Sequence, residues 1–531
     1  MTLSKTPATL RDKAAQLVFI RIGSNMTPPV TASDDAARVA ELLDRYPFGG
    51  LLLFNGHYPA TADRLAALQA QSAYPLLVAS DVERGVGQQV EGATVFPHAM
   101  AFGALGDEAE PAIDALARTT AREALACGIH QLLTPVADVN LHPRNPIISI
   151  RAFGTEPDAV AQHVHTYVTA CRDEGLITTA KHFPGHGRTA DDTHETLPAV
   201  DADVNTLQAT DLVPFRAAIA AGGDTVMTTH AAFPSLDPEG RPATLSPPIL
   251  RGVLRDQMGF DGPIVTDSLL MAAVRATHDD PGDQAVALLE AGVDCVLDPS
   301  DPVAVVEGLV RAVESGRLAA SRIHRAFDRI WRLKTRLAER FGPDVFTAPE
   351  RYAPRDQVGA ESHQQLATSV AERAVTVLDA TPGALPVDRA GRGEGSMVIY
   401  MTPRARGAAA PEAPLGEAVR TLAPQVRYHE VDTDTGEAHL AALAEEAGQA
   451  RHVVLALAVT PAAWQTFGLQ PAQEDVVRRL ADQAPPLVAA ALGSPHVLDA
   501  VPRAAARLCT YSDVPDAQRA LAARLWDGDR T

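Results

Sequence analysis

Eight short apolar runs, spaced by amphipathic stretches, constrain this chain more than any other feature. They lie at 16–20, 50–54, 76–80, 129–133, 177–180, 225–229, 263–266 and 293–297. Each is only four or five residues long and rich in aliphatic or β-branched residues, as in strands buried on both faces. Between them, stretches such as 34–44, 107–126, 159–174 and 283–291 carry apolar residues at helical spacing. Strand and helix alternating eight times predicts a (β/α)8 TIM barrel. An open doubly wound sheet is the structural alternative, since periodicity alone does not separate the two.

The residues at which these runs stop are the second informative feature. The third run leads into Asp81, the fifth into Lys181 and His182, the sixth into His230, the seventh into Asp267 and the eighth into Asp298. Polar residues directly after several different strands are how barrels assemble an active site. One such aspartate could equally be a helix cap; several at equivalent places are harder to explain that way. The densest stretch opens Lys181-His182-Phe183-Pro184-Gly185-His186-Gly187 and continues through Asp191, Asp192 and His194 to Pro198. Pro184, Gly185 and Gly187 predict a loop there. A solvated surface loop is the bland alternative. Metal ligation by His182, His186, Asp191, Asp192, His194 and His230 is another, but tight ligand spacing such as HExxH is missing. No metal and no cofactor is expected.

Residues 318–341 read as a closing helix, with Arg322, Arg325, Arg329, Arg332 and Lys334 on an exposed basic face. Prolines without a clear period place a linker at 342–358, which divides the chain into a barrel domain, 1–341, and a C-terminal domain, 359–531. The second domain resumes the alternation, with strands at 374–378, 397–400, 452–457, 486–490 and 507–510, and predicts a three-layer α/β/α sandwich on a mostly parallel sheet. It holds no GxGxxG and no phosphate-binding Gly-rich loop.

A chain of 531 residues exceeds one ordinary core, in keeping with two domains. A formal charge of −20 argues against nucleic acid or an anionic membrane as partner. No apolar run approaches membrane-spanning length, and the first residues lack the apolar core of a signal peptide. Cys127, Cys171, Cys295 and Cys509 show no CxxC spacing and read as reduced thiols. A cytoplasmic protein, monomeric or homodimeric, with a small-molecule substrate is expected.

The 181–198 stretch, with its Lys-His-Phe-Pro-Gly-His-Gly followed by Asp-x-His, resembles family-3 glycoside hydrolases of the bacterial β-N-acetylglucosaminidase type. Further segments resemble the same family: Asp81-Val82-Glu83-Arg84-Gly85, Pro135 to Asn140 with Arg151-Ala152-Phe153-Gly154, Thr266-Asp267-Ser268, and Leu492-Gly493-Ser494-Pro495. The resemblance implies Asp267 as catalytic nucleophile, His194 as general acid/base and Asp192 as its partner. It implies Asp81, Arg151, Lys181 and His182 as sugar-binding residues; His230, after the sixth run, joins that set. Two departures stand out. Arg84-Gly85-Val86 replaces the usual pair of glycines with arginine, and Ser268 replaces a second aspartate after the nucleophile.

The chemistry suits these residue types. A carboxylate such as Asp267 stabilises the positive anomeric carbon and can add to it, giving a retaining mechanism through a covalent glycosyl-enzyme. An imidazole such as His194 can give a proton to the leaving oxygen and later take one from water. The expectation is an exo-acting enzyme removing terminal β-linked N-acetylglucosamine from cell-wall (peptidoglycan, muropeptide) fragments. A β-glucosidase or a glycoside phosphorylase on the same scaffold is the nearest alternative. A non-catalytic sugar-binding protein is the alternative of another class.

Overall fold

The structure, a computed structural model, describes residues 3, 5–189, 197–388, 392–406, 410–461, 467–483 and 486–527. Eight parallel strands build the first sheet: β1 Val18–Ile22, β2 Gly50–Leu53, β3 Leu77–Ser80, β4 Gln131–Leu132, β5 Ile177–Phe183, β6 Thr225–Thr228, β7 Ile264–Thr266 and β8 Val296–Leu297. Their order is β8-β1-β2-β3-β4-β5-β6-β7. A parallel bridge between Val265 and Cys295 joins the two ends of that row. The sheet therefore curls round on itself as a nearly closed barrel, which decides against the open doubly wound sheet.

Helices alternate with the strands, among them Ala32–Arg45, Ala60–Gln71, Ala109–Ala126, Pro157–Glu174 and Pro281–Ala291. Local chemistry starts several of them. Thr31 accepts from the Asp34 N–H, Asp280 from that of Asp283, and proline occupies the first position at 157 and 281. The strands are buried throughout, apart from the half-buried Arg21 in β1. At roughly 1.5–3 kcal/mol for each fully buried Val, Leu, Ile or Phe, this core is the main source of barrel stability.

Two expectations need correction. First, β5 extends three residues beyond the predicted run, so Lys181 and His182 lie in the strand and not on the loop. The sheet can continue through them because both are paired with buried or half-buried carboxylates. Second, the helix Ala320–Phe341 does not expose all its cations. Arg322 and Lys334 are buried in its inner face. Arg322 donates to the Leu289 carbonyl at 2.8 Å, to Asp294 at 3.0 Å and to the Val293 carbonyl, while Lys334 reaches Gln16 Oε1 and the Pro75 carbonyl, each at 2.5 Å.

The chain forms two compact units. The first comprises Met1–Val95, Glu110–Leu141 and Ala152–Gln364; the second comprises Phe96–Ala109, His142–Arg151 and Gln365–Thr531. The stretch 342–358, expected as a linker, belongs to the first unit: Phe346 packs against His130, and Gly359, just beyond it, donates its N–H to Glu123.

The second unit carries a six-stranded sheet: β9 Thr376–Ala380, β10 Ser396–Met401, β11 Arg427–Val431, β12 His452–Leu457, β13 Leu487–Ala491 and β14 Ala506–Cys509. The order is β9-β14-β13-β12-β10-β11, parallel except for the antiparallel β9–β14 pair. Two buried clusters, one centred on Val398, Val454 and Leu508 and the other on Ile399, Leu455 and Ala489, pack on opposite faces of this sheet, giving the expected α/β/α layering. Strand β11 was not anticipated. Among the described residues, no helix is long and apolar enough to cross a membrane. All four cysteines are buried free thiols.

Candidate active site

The carboxyl ends of the parallel strands bring most of the sequence-predicted residues together. Lys181, in β5, is buried and bonds Asp81, directly after β3, at 2.6 Å. It also pairs with Glu83 at 2.7 Å. Two carboxylates on one ammonium neutralise a cation that burial alone would disfavour.

His182, the next residue, turns to another acid. Its Nδ1 lies 2.7 Å from Asp138 Oδ2, and its backbone N–H donates to the same oxygen at 3.1 Å. The other oxygen, Asp138 Oδ1, accepts the His186 N–H at 2.6 Å. Burial works against the Asp138 charge, but the charge and bond of His182, with the His186 N–H, outweigh it and hold the carboxyl below its ordinary range. This arrangement keeps a proton on His182 Nδ1 and fixes the ring. Beyond it, His186 Nδ1 meets Thr189 Oγ1 at 2.6 Å, and Gly187 lies so close to the Val139 carbonyl that a Cβ would sit 1.6 Å from its oxygen.

His230 comes after β6. Thr244 Oγ1 donates to the Thr229 carbonyl at 2.8 Å and therefore accepts from His230 Nδ1, also at 2.8 Å. The opposite nitrogen, Nε2, is 3.3 Å from the Ser268 carbonyl. Both ring nitrogens therefore face acceptors.

Asp267 stands just past β7, within electrostatic reach of His182, His230 and Lys181. It caps no helix: the next one, Ala272–Arg275, starts after Met271. One of its oxygens accepts the Ser268 N–H at 2.7 Å. Burial pushes its carboxyl up, yet the charges of His182 and His230, the Ser268 N–H and the charge of Lys181 prevail and hold it below the ordinary range. A carboxylate held below its ordinary range next to Lys181 and two histidines suits a nucleophile or a stabiliser of positive charge.

Of the eight predicted site residues, Asp81, Lys181, His182, His230 and Asp267 assemble in the first unit. Arg151 ends the one-turn helix Ser149–Arg151 in a segment of the second unit, where it donates to the Ile147 carbonyl at 2.9 Å. Asp192 and His194 lie outside the described residues. Among the described residues, no group of three or more His, Cys, Asp or Glu is placed to hold a metal ion.

Residues 9–333 match the N-terminal domain of glycosyl hydrolase family 3. The chain belongs to glycosyl hydrolase family 3. Among curated relatives, it is 31% identical over 383 residues to a β-hexosaminidase A of Pseudoalteromonas piscicida, covering 66% of this chain and 62% of that one. It is 33% identical over 376 residues to a β-N-acetylglucosaminidase/β-glucosidase of Cellulomonas fimi, covering 68% of this chain and 64% of that one. The chain thus spans less than two thirds of the length of these two relatives. A solved family-3 β-N-acetylglucosaminidase from Paenibacillus sp. str. FPU-7 superposes with a TM-score of 0.83 at 31% identity, covering 98% of this chain and 97% of that one.

Sequence reasoning missed four residues of this candidate site. Glu83 and Asp138 lay inside family-like segments without a role of their own. The signal for Asp138 was available, since a charged residue between Val136 and Val139 has to find partners if the run is buried. Arg21, between Ile20 and Ile22, carried the same signal, and Ser268 gave none. Arg21 sits in β1 among apolar residues, and it forms an ion pair with Asp298 after β8.

Proposed function

We propose that this family-3 protein is a retaining β-N-acetylglucosaminidase that removes terminal β-linked N-acetylglucosamine, with fragments of the bacterial cell wall as its substrate class. Asp267 attacks the anomeric carbon and forms the glycosyl-enzyme. His194, with Asp192 holding its ring, protonates the leaving oxygen and then activates water. Asp81, Lys181, His182, His230 and Arg151 hold the sugar. The observation that carries this reading is the Asp267 carboxylate, kept ionised after β7 by His182, His230 and Lys181. The names of the relatives support the N-acetylglucosamine preference.

The double name of the Cellulomonas fimi relative also favours a second reading, in which a glucoside is accepted as well. A panel of aryl β-glycosides differing only at the 2-position, run on the wild type and on Asp267→Asn, tests both. The expected result is preferential turnover of the N-acetylglucosaminide by the wild type and a loss of three or more orders of magnitude in the variant. Equal turnover of the two glycosides would favour the second reading. Wild-type turnover by Asp267→Asn would overturn both. An imidazole acid does not repel phosphate as a carboxylate does, so the same panel run in phosphate buffer should be searched for sugar-1-phosphate.

A further inference from the structure

Ser268 commits every polar group it has to the surroundings of Asp267. Its N–H donates to Asp267 Oδ1 at 2.7 Å, and its carbonyl lies 3.3 Å from His230 Nε2. Its hydroxyl donates to Asp298 Oδ2 at 2.6 Å. The turn after β7 also closes on it: Leu270 N–H reaches its Oγ and Met271 N–H its carbonyl, each at 3.3 Å.

Asp298 is held from the other side by Arg21. The guanidinium meets Asp298 through two nitrogens, Nε to Oδ1 at 3.0 Å and Nη2 to Oδ2, the fork geometry that fixes a carboxylate in plane. Arg21 in turn lies over the Phe54 ring, 5.0 Å from its centroid. Asp298 is buried, at a backbone φ of +53°. Both of its oxygens are engaged within the protein. A line of charge-assisted bonds therefore runs from β1 through the end of β8 to the turn after β7, and it ends on a carboxylate oxygen of Asp267.

The electrostatics explain the arginine. Burial pushes the Asp298 carboxyl up, the charge and bonds of Arg21 and the Ser268 hydroxyl pull it back, and the nearby Asp267 charge pushes it up again. A second anion next to a nucleophile is tolerable only if a fixed cation neutralises it. Arg21 supplies that cation and offsets part of the penalty; burial and the Asp267 charge still leave the Asp298 carboxyl above its ordinary range, while its oxygen keeps drawing the Ser268 hydroxyl.

We propose that Asp298, backed by Arg21, is a positioning residue for the Asp267 carboxylate and acts on it through Ser268. The proposal rests on the reading of Asp267 as nucleophile. A merely structural alternative is that the trio seals the barrel where β7, β8 and β1 meet.

Ser268→Ala and Ser268→Thr, compared for kcat, KM and thermal midpoint on an aryl β-N-acetylglucosaminide, separate the two. Displacement of a reacting group by an ångström costs on the order of 100-fold in rate. Positioning therefore predicts that Ser268→Ala lowers kcat about 10- to 100-fold with KM within about twofold, and that Ser268→Thr, which keeps the hydroxyl, recovers most of the loss. Wild-type kcat in Ser268→Ala, or equal losses in both variants, overturns the proposal. If Ser268→Ala does not fold, Asp298→Asn reads the same quantity: a fall in kcat at unchanged KM supports positioning, and unchanged kcat overturns it. Asp267→Asn is the control for the underlying reading. If it is inactive while Ser268→Ala turns over normally, Asp267 keeps its role and the positioning inference alone fails.

Discussion

Asp138 shows how much one buried acid can organise. It accepts three N–H groups, from two residues that lie 44 and 48 positions further along the chain. An amide in its place offers one acceptor oxygen and turns an NH2 group toward donors. Asp138→Asn is therefore expected to cost about 1–3 kcal/mol of stability by chemical denaturation at pH 7. The pH dependence has a definite sign. The folded-state carboxyl titrates below its ordinary range, so its contribution is present above pH ~4, the unfolded value, and disappears as pH falls through the folded one. The gap between wild type and variant should narrow from pH 7 to pH 3; a constant gap would remove the charge from the explanation. At this scale the sequence was partly legible. Asp81, Lys181, His182, His230 and Asp267 could be found because each stands where an apolar run stops. Asp138 and Arg21 could be marked as charges in need of partners, but their partners, like the Asp298 that takes the Ser268 hydroxyl, are distant in sequence and come near only in the closed barrel.

Elements were legible where burial is symmetric and illegible where it is not. The eight barrel runs are apolar because both faces of each strand are covered. Strand β11, Arg-Tyr-His-Glu-Val, escaped because, among the described residues, it lies at a sheet edge and pairs only with β10, keeping four of its five residues half-buried. The closing helix misled for the opposite reason: its buried cations look like surface. Lys334 is fully buried, and burial pushes its ammonium down to about 7. A neutral amine has two protons for its two acceptors, Gln16 and Pro75. Because the folded value lies below the unfolded one of about 10.4, the unfolded chain binds the extra proton between these limits, and stability should rise with pH from about 7 to about 10. Lys334→Met should flatten that slope in denaturation curves taken at pH 7 and 9.5; an unchanged slope would place its origin elsewhere. In the loop after β5, Gly187→Ala pushes a Cβ into the Val139 carbonyl, an atom of the backbone that cannot swing aside. The substitution should displace the loop that leads to Asp192 and His194 and lower kcat at least tenfold, whereas full activity would show that the loop tolerates the shift.

At the scale of the molecule, the two compact units do not succeed one another along the chain. Phe96–Ala109 and His142–Arg151 are early in sequence yet belong with Gln365–Thr531. Within that unit, His98 Nδ1 meets Ser512 Oγ at 2.9 Å, and the helix Ala99–Gly103 packs on Ser149–Arg151, so the setting of Arg151 depends on residues near the end of the chain. A protein cut after Gln364 should lose that support. We expect it to aggregate or to show KM raised at least tenfold on aryl glycosides; a soluble 1–364 fragment with wild-type kcat/KM would sink this expectation. Hydropathy and turn signals could not reveal such interleaving, because they report only on neighbours in sequence.

The His98–Ser512 bond spans 414 residues. At roughly 5–20 residues per second of synthesis, the ribosome needs on the order of 20–80 s to deliver the partner after His98 has been made. During that interval two early segments wait with their packing surfaces uncovered. Newborn chains of this protein should therefore engage chaperones until the last helices emerge, and a stalled or prematurely terminated message would release a product marked for degradation.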